Sequence, residues 1–296
     1  MKHSAKITVI LLTFFLLAQF IGLGILYQYI DAEKSAETEE TEFADLPIIE
    51  RPGFDEQTSY IPAIIAILLG TVIILFLMKR RIKWLWKLWF LMAVVITLTI
   101  AFSSLMPALA AGLLALFLGI WRIFKPNVFI QNGTELFIYG GLAAIFVPLF
   151  NLFSVSILMI LIAIYDAYAV WKSKHMITLA KEQAGAKVFA GLLIPYQLSK
   201  AKDVLKQKKK SAVKMVKVKV RTAMLGGGDV GFPLIFAGVV MKELSLWQSL
   251  IIPFFALAGL AVLLWTAEEK NFYPAMPFIG AGCFIGLGVV LLLGLF

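Results

Sequence analysis

Apolar residues run in long, nearly uncharged blocks along this 296-residue chain, and polar residues gather in short stretches between them. A helix needs about 20 apolar residues to cross a bilayer. Nine blocks qualify as spans: 7–30, 60–78, 84–103, 106–121, 131–147, 153–170, 224–241, 245–266 and 277–296. The fourth and fifth are short, and Ser103, Ser104 and Pro107 separate the third from the fourth. The first block is too long for a signal-peptide core and no small-residue cleavage site follows it, so it reads as a retained span. The pattern predicts an all-α polytopic membrane protein with nine transmembrane helices. It divides into a six-span bundle (1–170), a basic loop (171–223) and a three-span segment (224–296).

Composition agrees. Hydrophobic residues make up 61% of the chain, above the share of a soluble domain. The net charge of +9 does not point to nucleic acid, because the charges sit in the loops. Lys and Arg in cytoplasmic segments set orientation. With the N-terminus cytoplasmic and nine alternating spans, 24 Lys/Arg fall inside and 3 outside (Lys34, Arg51 and Lys242), which puts the C-terminus outside. The external loop, 31–59, carries ten of the 18 acidic residues and reads as solvated and partly disordered. The Lys206–Lys210 run in the long basic loop reads as a linker favouring an anionic inner leaflet. A single cysteine, Cys283, excludes an intrachain disulfide, and His3 and His175 are far apart, so no metal is expected.

Two aspartates, Asp166 and Asp229, interrupt the sixth and seventh blocks. A carboxylate at bilayer depth costs on the order of 3 kcal/mol or more and usually marks function. On antiparallel helices the two lie about 9 and 12 Å from their basic flanks at 1.5 Å rise per residue, so side-by-side packing lets them meet. Close carboxylates share a proton and titrate as a pair. The ionised member then activates water while the protonated one bonds the substrate carbonyl. No cofactor is needed beyond water. Gly226, Gly227 and Gly228, just before Asp229, weaken a helix start and admit a close backbone; a helix-packing patch is the plainer reading. Tyr165 lines the cavity or simply packs. Pro274, Ala275 and Met276, followed by Pro277, disfavour helix at the start of the ninth span, as an ordinary helix start also would.

Tyr165-Asp166, Gly226-Gly227-Gly228-Asp229 and Pro274-Ala275-Met276, in that order, resemble the Tyr-Asp, Gly-x-Gly-Asp and Pro-Ala-Leu motifs of the presenilin and signal-peptide-peptidase family of intramembrane aspartyl proteases. Met276 stands where that family has Leu, a near-isosteric change. The resemblance covers nearly the whole chain. It implies a presenilin-like fold, Asp166 and Asp229 as catalytic residues, and transmembrane proteins or peptides as substrates in the bilayer. The cytoplasmic N-terminus is similar to presenilins rather than to signal peptide peptidases. The segment 164–180 looks like archaeal presenilin homologues, which work without partner subunits. A homo-oligomer is left open.

Residues 214–221 (KMVKVKVR) alternate Val with Lys/Arg from Val216, the period of a half-buried strand. The short apolar run 188–196 is its candidate partner. One of these strands, with Val218 at the centre of the first, would pair with an unwound substrate. A lysine-rich helix extension is the alternative. For the whole protein the competing classes are a proton- or cation-conducting transporter, for which no internal repeat is visible, and a prepilin-type peptidase.

Overall fold

The computed structural model describes residues 5–38, 40–80, 83–172, 189–196, 221–267 and 273–294. Each of the nine expected blocks is helical over most of its described length, but residues 224–226 of the seventh are strand and the eighth is split into two helices. The helices are α1 (Ala5–Gln28), the short α2 (Ala32–Thr38), α3 (Tyr60–Lys79), α4 (Lys83–Ser103), α5 (Ala108–Phe124), α6 (Val128–Phe146), α7 (Leu152–Trp171), α8 (Gly227–Glu243), the one-turn α9 (Leu246–Ser249), α10 (Ile252–Thr266) and α11 (Met276–Leu293). Among the described residues, six segments are long and apolar enough to cross a membrane: α1, α4, α6 with the 3-10 turn that follows it, α7, α9 with α10, and α11. Lipid offers no hydrogen bonds, so such segments must satisfy their own backbone, and helix is the form that does so.

The chain is not all-α. Strands β1 (Gly191–Tyr196) and β2 (Arg221–Gly226) pair antiparallel, with Leu192 opposite Leu225 and Ile194 opposite Ala223. The 188–196 run therefore does supply a strand, as expected. Its partner lies further along the chain than the Val/Lys alternation suggested. Residues 214–220, including Val218, lie outside the described residues, as does most of the 171–223 loop. The seventh span correspondingly begins at Gly227 rather than residue 224, because residues 224–226 are committed to β2.

The main core joins α1, α6, α7, α8, α10 and α11 around Phe15, Leu26, Phe236, Leu234 and Ile279. A smaller core of Val94, Leu98, Phe102, Ala111, Ala115 and Ile138 sets α4 and α5 against α6. Helices α10 and α11 touch backbone to backbone. A Cβ on Gly259 would come within 2.2 Å of the Phe278 carbonyl, and one on Gly282 within 2.2 Å of the Phe255 carbonyl. Small residues give helices in lipid the close approach that no hydrophobic drive supplies.

Some helix starts are capped by a local side chain. The Asn151 side chain accepts from the Ser154 amide, and the Ser154 hydroxyl accepts from the Asn151 amide in return, opening α7. The acidic loop is tied down rather than running free. Glu56 pairs with Lys242 at 2.6 Å, the Thr41 hydroxyl donates to the Lys242 carbonyl at 2.7 Å, and Arg51 Nε donates to the Ala144 carbonyl at 3.3 Å.

Candidate active site

Asp166 sits near the end of α7, five residues before Trp171, and is 4% exposed. Opposite it α11 begins, at the Pro-Ala-Met segment. The first amides of a helix have no partner within it. Here Met276 N–H donates to Asp166 Oδ2 at 3.0 Å, and the Ala275 amide interacts with the same carboxylate. Pro277, in the first turn, removes the next donor without cost, since that amide would be unpaired anyway. Asp166 Oδ1 is buried and has no hydrogen-bond partner among the described residues. Pro274 and Met276 are buried and Ala275 is half-buried.

Asp229 reaches the site differently. It lies in the first turn of α8, directly after β2, and is half-buried. An acidic side chain at a helix N-terminus faces the favourable end of the macrodipole. A Cβ on Gly226 would lie 3.2 Å from Asp229 Oδ2, so a side chain there meets the carboxylate. Gly227 N–H donates to the Ala190 carbonyl at 3.1 Å. The backbone brought close by this glycine is thus the chain's own, just before β1. Gly228 is exposed, and a Cβ there would meet only the Phe232 ring. The depth expected for Asp229 assumed helix from Arg221 onward. Arg221 to Gly226 is extended strand, which rises about 3.3 Å per residue, so that depth does not hold.

Helix α7 packs against both α8 and α11. The two carboxylates lie near enough to interact electrostatically. Tyr165, next to Asp166, points to the other side of α7, where its hydroxyl donates to Thr71 Oγ1 of α3 at 3.5 Å. With Ile64, Ile67, Leu68, Leu161, Ile162, Ile164 and Tyr168 it lines an apolar groove of about 310 Å³ between α3 and α7.

One polar cluster beside the site escaped the sequence reading. Glu135, near the start of the fifth block, is 2% exposed and ion-pairs with Arg122 of α5, itself 4% exposed. Arg122 is therefore inside the bundle and not a flanking charge. The signal was available, since Glu135 is a carboxylate in an apolar run like the two aspartates.

The sequence matches the family described as signal-peptide peptidase, presenilin aspartyl protease over residues 38–294. Two similar solved structures are of a presenilin family intramembrane aspartate protease. One, in space group C222, is 19% identical with a TM-score of 0.62 and covers 97% of this chain and 99% of its own. The other, in space group P2, is 21% identical with a TM-score of 0.61 and covers 96% of each. Both show a shared fold over the full length. No curated protein matches the sequence. The family match favours proteolysis over transport, and the chain belongs to the signal-peptide peptidase and presenilin family of aspartyl proteases, as a multi-pass membrane protein.

Proposed function

We propose that Asp166 and Asp229 together activate the water that hydrolyses a peptide bond within or near a substrate's transmembrane segment. The observation that carries this reading is the carboxylate of Asp166. One oxygen is held by Met276 N–H, the other is buried with no hydrogen-bond partner among the described residues, and the two carboxylates interact electrostatically. A general acid or base must be fixed in place and still have an atom free to take or give the proton. Pro274, Ala275 and Met276 then act as a backbone cradle for Asp166. Gly226 keeps the space beside Asp229 clear, and Gly227 and Gly228 keep the junction narrow enough for a substrate backbone.

The substrate comes as an extended segment added to β2. In an antiparallel ladder the N–H and C=O of one residue point to the same edge, and those of the next residue point to the other. Leu192 and Ile194 face Leu225 and Ala223, so Thr222 and Met224 turn their backbone groups to the outer edge of β2. The apolar α3–α7 groove, with Tyr165 on its wall, suits the side chains of a span approaching from lipid. The topology that goes with this reading has nine spans with the N-terminus cytoplasmic and the C-terminus outside, as the Lys/Arg distribution supports. The chain divides at the 171–223 loop.

The test is purified protein in detergent with a labelled single-span peptide, beside Asp166→Ala and Asp229→Ala. Cleavage inside the span, lost in both variants by about a thousandfold or more, is the expected result. Retained cleavage in either variant removes the dyad.

A further inference from the structure

A strand pair beside a membrane helix bundle has two edges, and each must find hydrogen bonds. The inner edge of β1 is occupied in an unusual way, by side chains of a helix. Asn132 of α6 brackets Leu193: its Oδ1 accepts from Leu193 N–H at 2.9 Å and its Nδ2 donates to the Leu193 carbonyl at 2.7 Å. One amide side chain thus reproduces both bonds of a neighbouring strand. Glu135 accepts from Gly191 N–H at 2.9 Å. Gln131 Nε2 donates to the carbonyls of Phe189 and Gly191, each at 3.0 Å. Arg122 completes the set. It pairs with Glu135, and donates to Thr134 Oγ1 at 3.0 Å and to the Phe189 carbonyl at 3.1 Å.

Gln131, Asn132 and Glu135 fall within one turn of α6 and are 7, 6 and 2% exposed. Two turns beyond Gln131 the same face carries Tyr139, fully buried, whose ring would lie 3.6 Å from a Cβ on Gly227. One helix face therefore grips β1 at one end and abuts the Asp229 helix at the other. Burying an ion pair and two amides costs desolvation unless every bond is made. An apolar helix face would pack more cheaply, but it could not fix the register of a strand.

We infer that Gln131, Asn132 and Glu135, held by Arg122, form a rigid splint that fixes the height of the β1–β2 pair relative to Asp229. These are positioning residues. They never touch substrate, but they determine which substrate bond β2 delivers to the carboxylates. The inference rests on the reading that substrate pairs with the outer edge of β2.

The test compares Asn132→Leu, Gln131→Leu and Met224→Pro in the full-length protein. It reads kcat/KM and the cut positions of a single-span peptide by mass spectrometry. It also reads the affinity of a short hydroxyethylene peptide isostere, which mimics the tetrahedral intermediate and is too short to add a strand. Both splint variants should lose about tenfold in kcat/KM, the scale of two hydrogen bonds. They should also spread cleavage over neighbouring bonds and bind the isostere as the parent does. Met224→Pro removes an outer-edge N–H and should lower cleavage with no spread. If Met224→Pro lowers cleavage but both splint variants keep the parental rate and cut pattern, the splint is wrong and strand pairing stands. If Met224→Pro cleaves at the full rate, strand pairing itself fails. If both splint variants lose isostere affinity and rate in parallel at an unchanged cut pattern, the cluster is merely structural and the inference is overturned.

Discussion

The two aspartates sit on helices built in opposite ways. Asp166 lies in the last third of a continuous 20-residue helix with a capping box at its start, and its carboxylate is fixed by an amide from a third helix. Asp229 lies two residues into a helix that follows a strand with no intervening loop, directly after Gly226, Gly227 and Gly228. Four residues on, Pro233 lacks the N–H that would bond the Asp229 carbonyl, so the first turn of α8 is held more loosely than the body of α7. One carboxylate is therefore anchored, and the other stands on a junction that can adjust when a strand is added to β2. A dyad with one fixed member and one adjustable member can rest with its carboxylates apart and close on substrate.

The sharpest way to break the adjustable side is Gly226→Val. Its Cβ would fall 3.2 Å from Asp229 Oδ2, with two methyls adding bulk beside the carboxylate, so cleavage and isostere affinity should both fall, by about a hundredfold. A Gly226→Val protein that cleaves within twofold of the parent would show that the space beside Asp229 is not needed. On the anchored side, the groove offers a gentler probe. Leu68→Trp fills part of the 310 Å³ between α3 and α7. It should raise KM about fivefold at unchanged kcat, since it obstructs approach without touching the carboxylates; a fall in kcat at constant KM would contradict that use of the groove. Smallest of all is Thr71→Val, which removes a long 3.5 Å hydrogen bond from Tyr165. Such a bond is weak, and the change in kcat/KM should stay below about twofold. A tenfold loss would give Tyr165 a part in catalysis.

Much of this was legible in the sequence because lipid makes polar residues conspicuous. Asp166, Asp229 and the Pro-Ala-Met segment stand out against apolar runs, and the structure brings Met276 against Asp166. The strand pair was only half legible. Residues 188–196 were recognised, but β2 lies at 221–226, where RTAMLG shows no alternation of polar and apolar residues. Ala223 and Leu225 are buried while Met224 is exposed, so an apolar residue occupies both faces and the period-2 signal vanishes. Glu135 was overlooked for a different reason. Its role is to hold strand backbone, and nothing in a helix's own sequence states that a strand will dock on it.

The central claim is that Asp166 and Asp229 act as one unit, and a double-mutant cycle tests it most directly. Asp166→Asn and Asp229→Asn keep the shape of each side chain while removing the proton chemistry. Cleavage of the single-span peptide should fall as far in each single variant as in the double, because a dyad missing either member has no dyad chemistry left to lose. If the two losses instead add on a free-energy scale, the carboxylates act independently and the account is wrong.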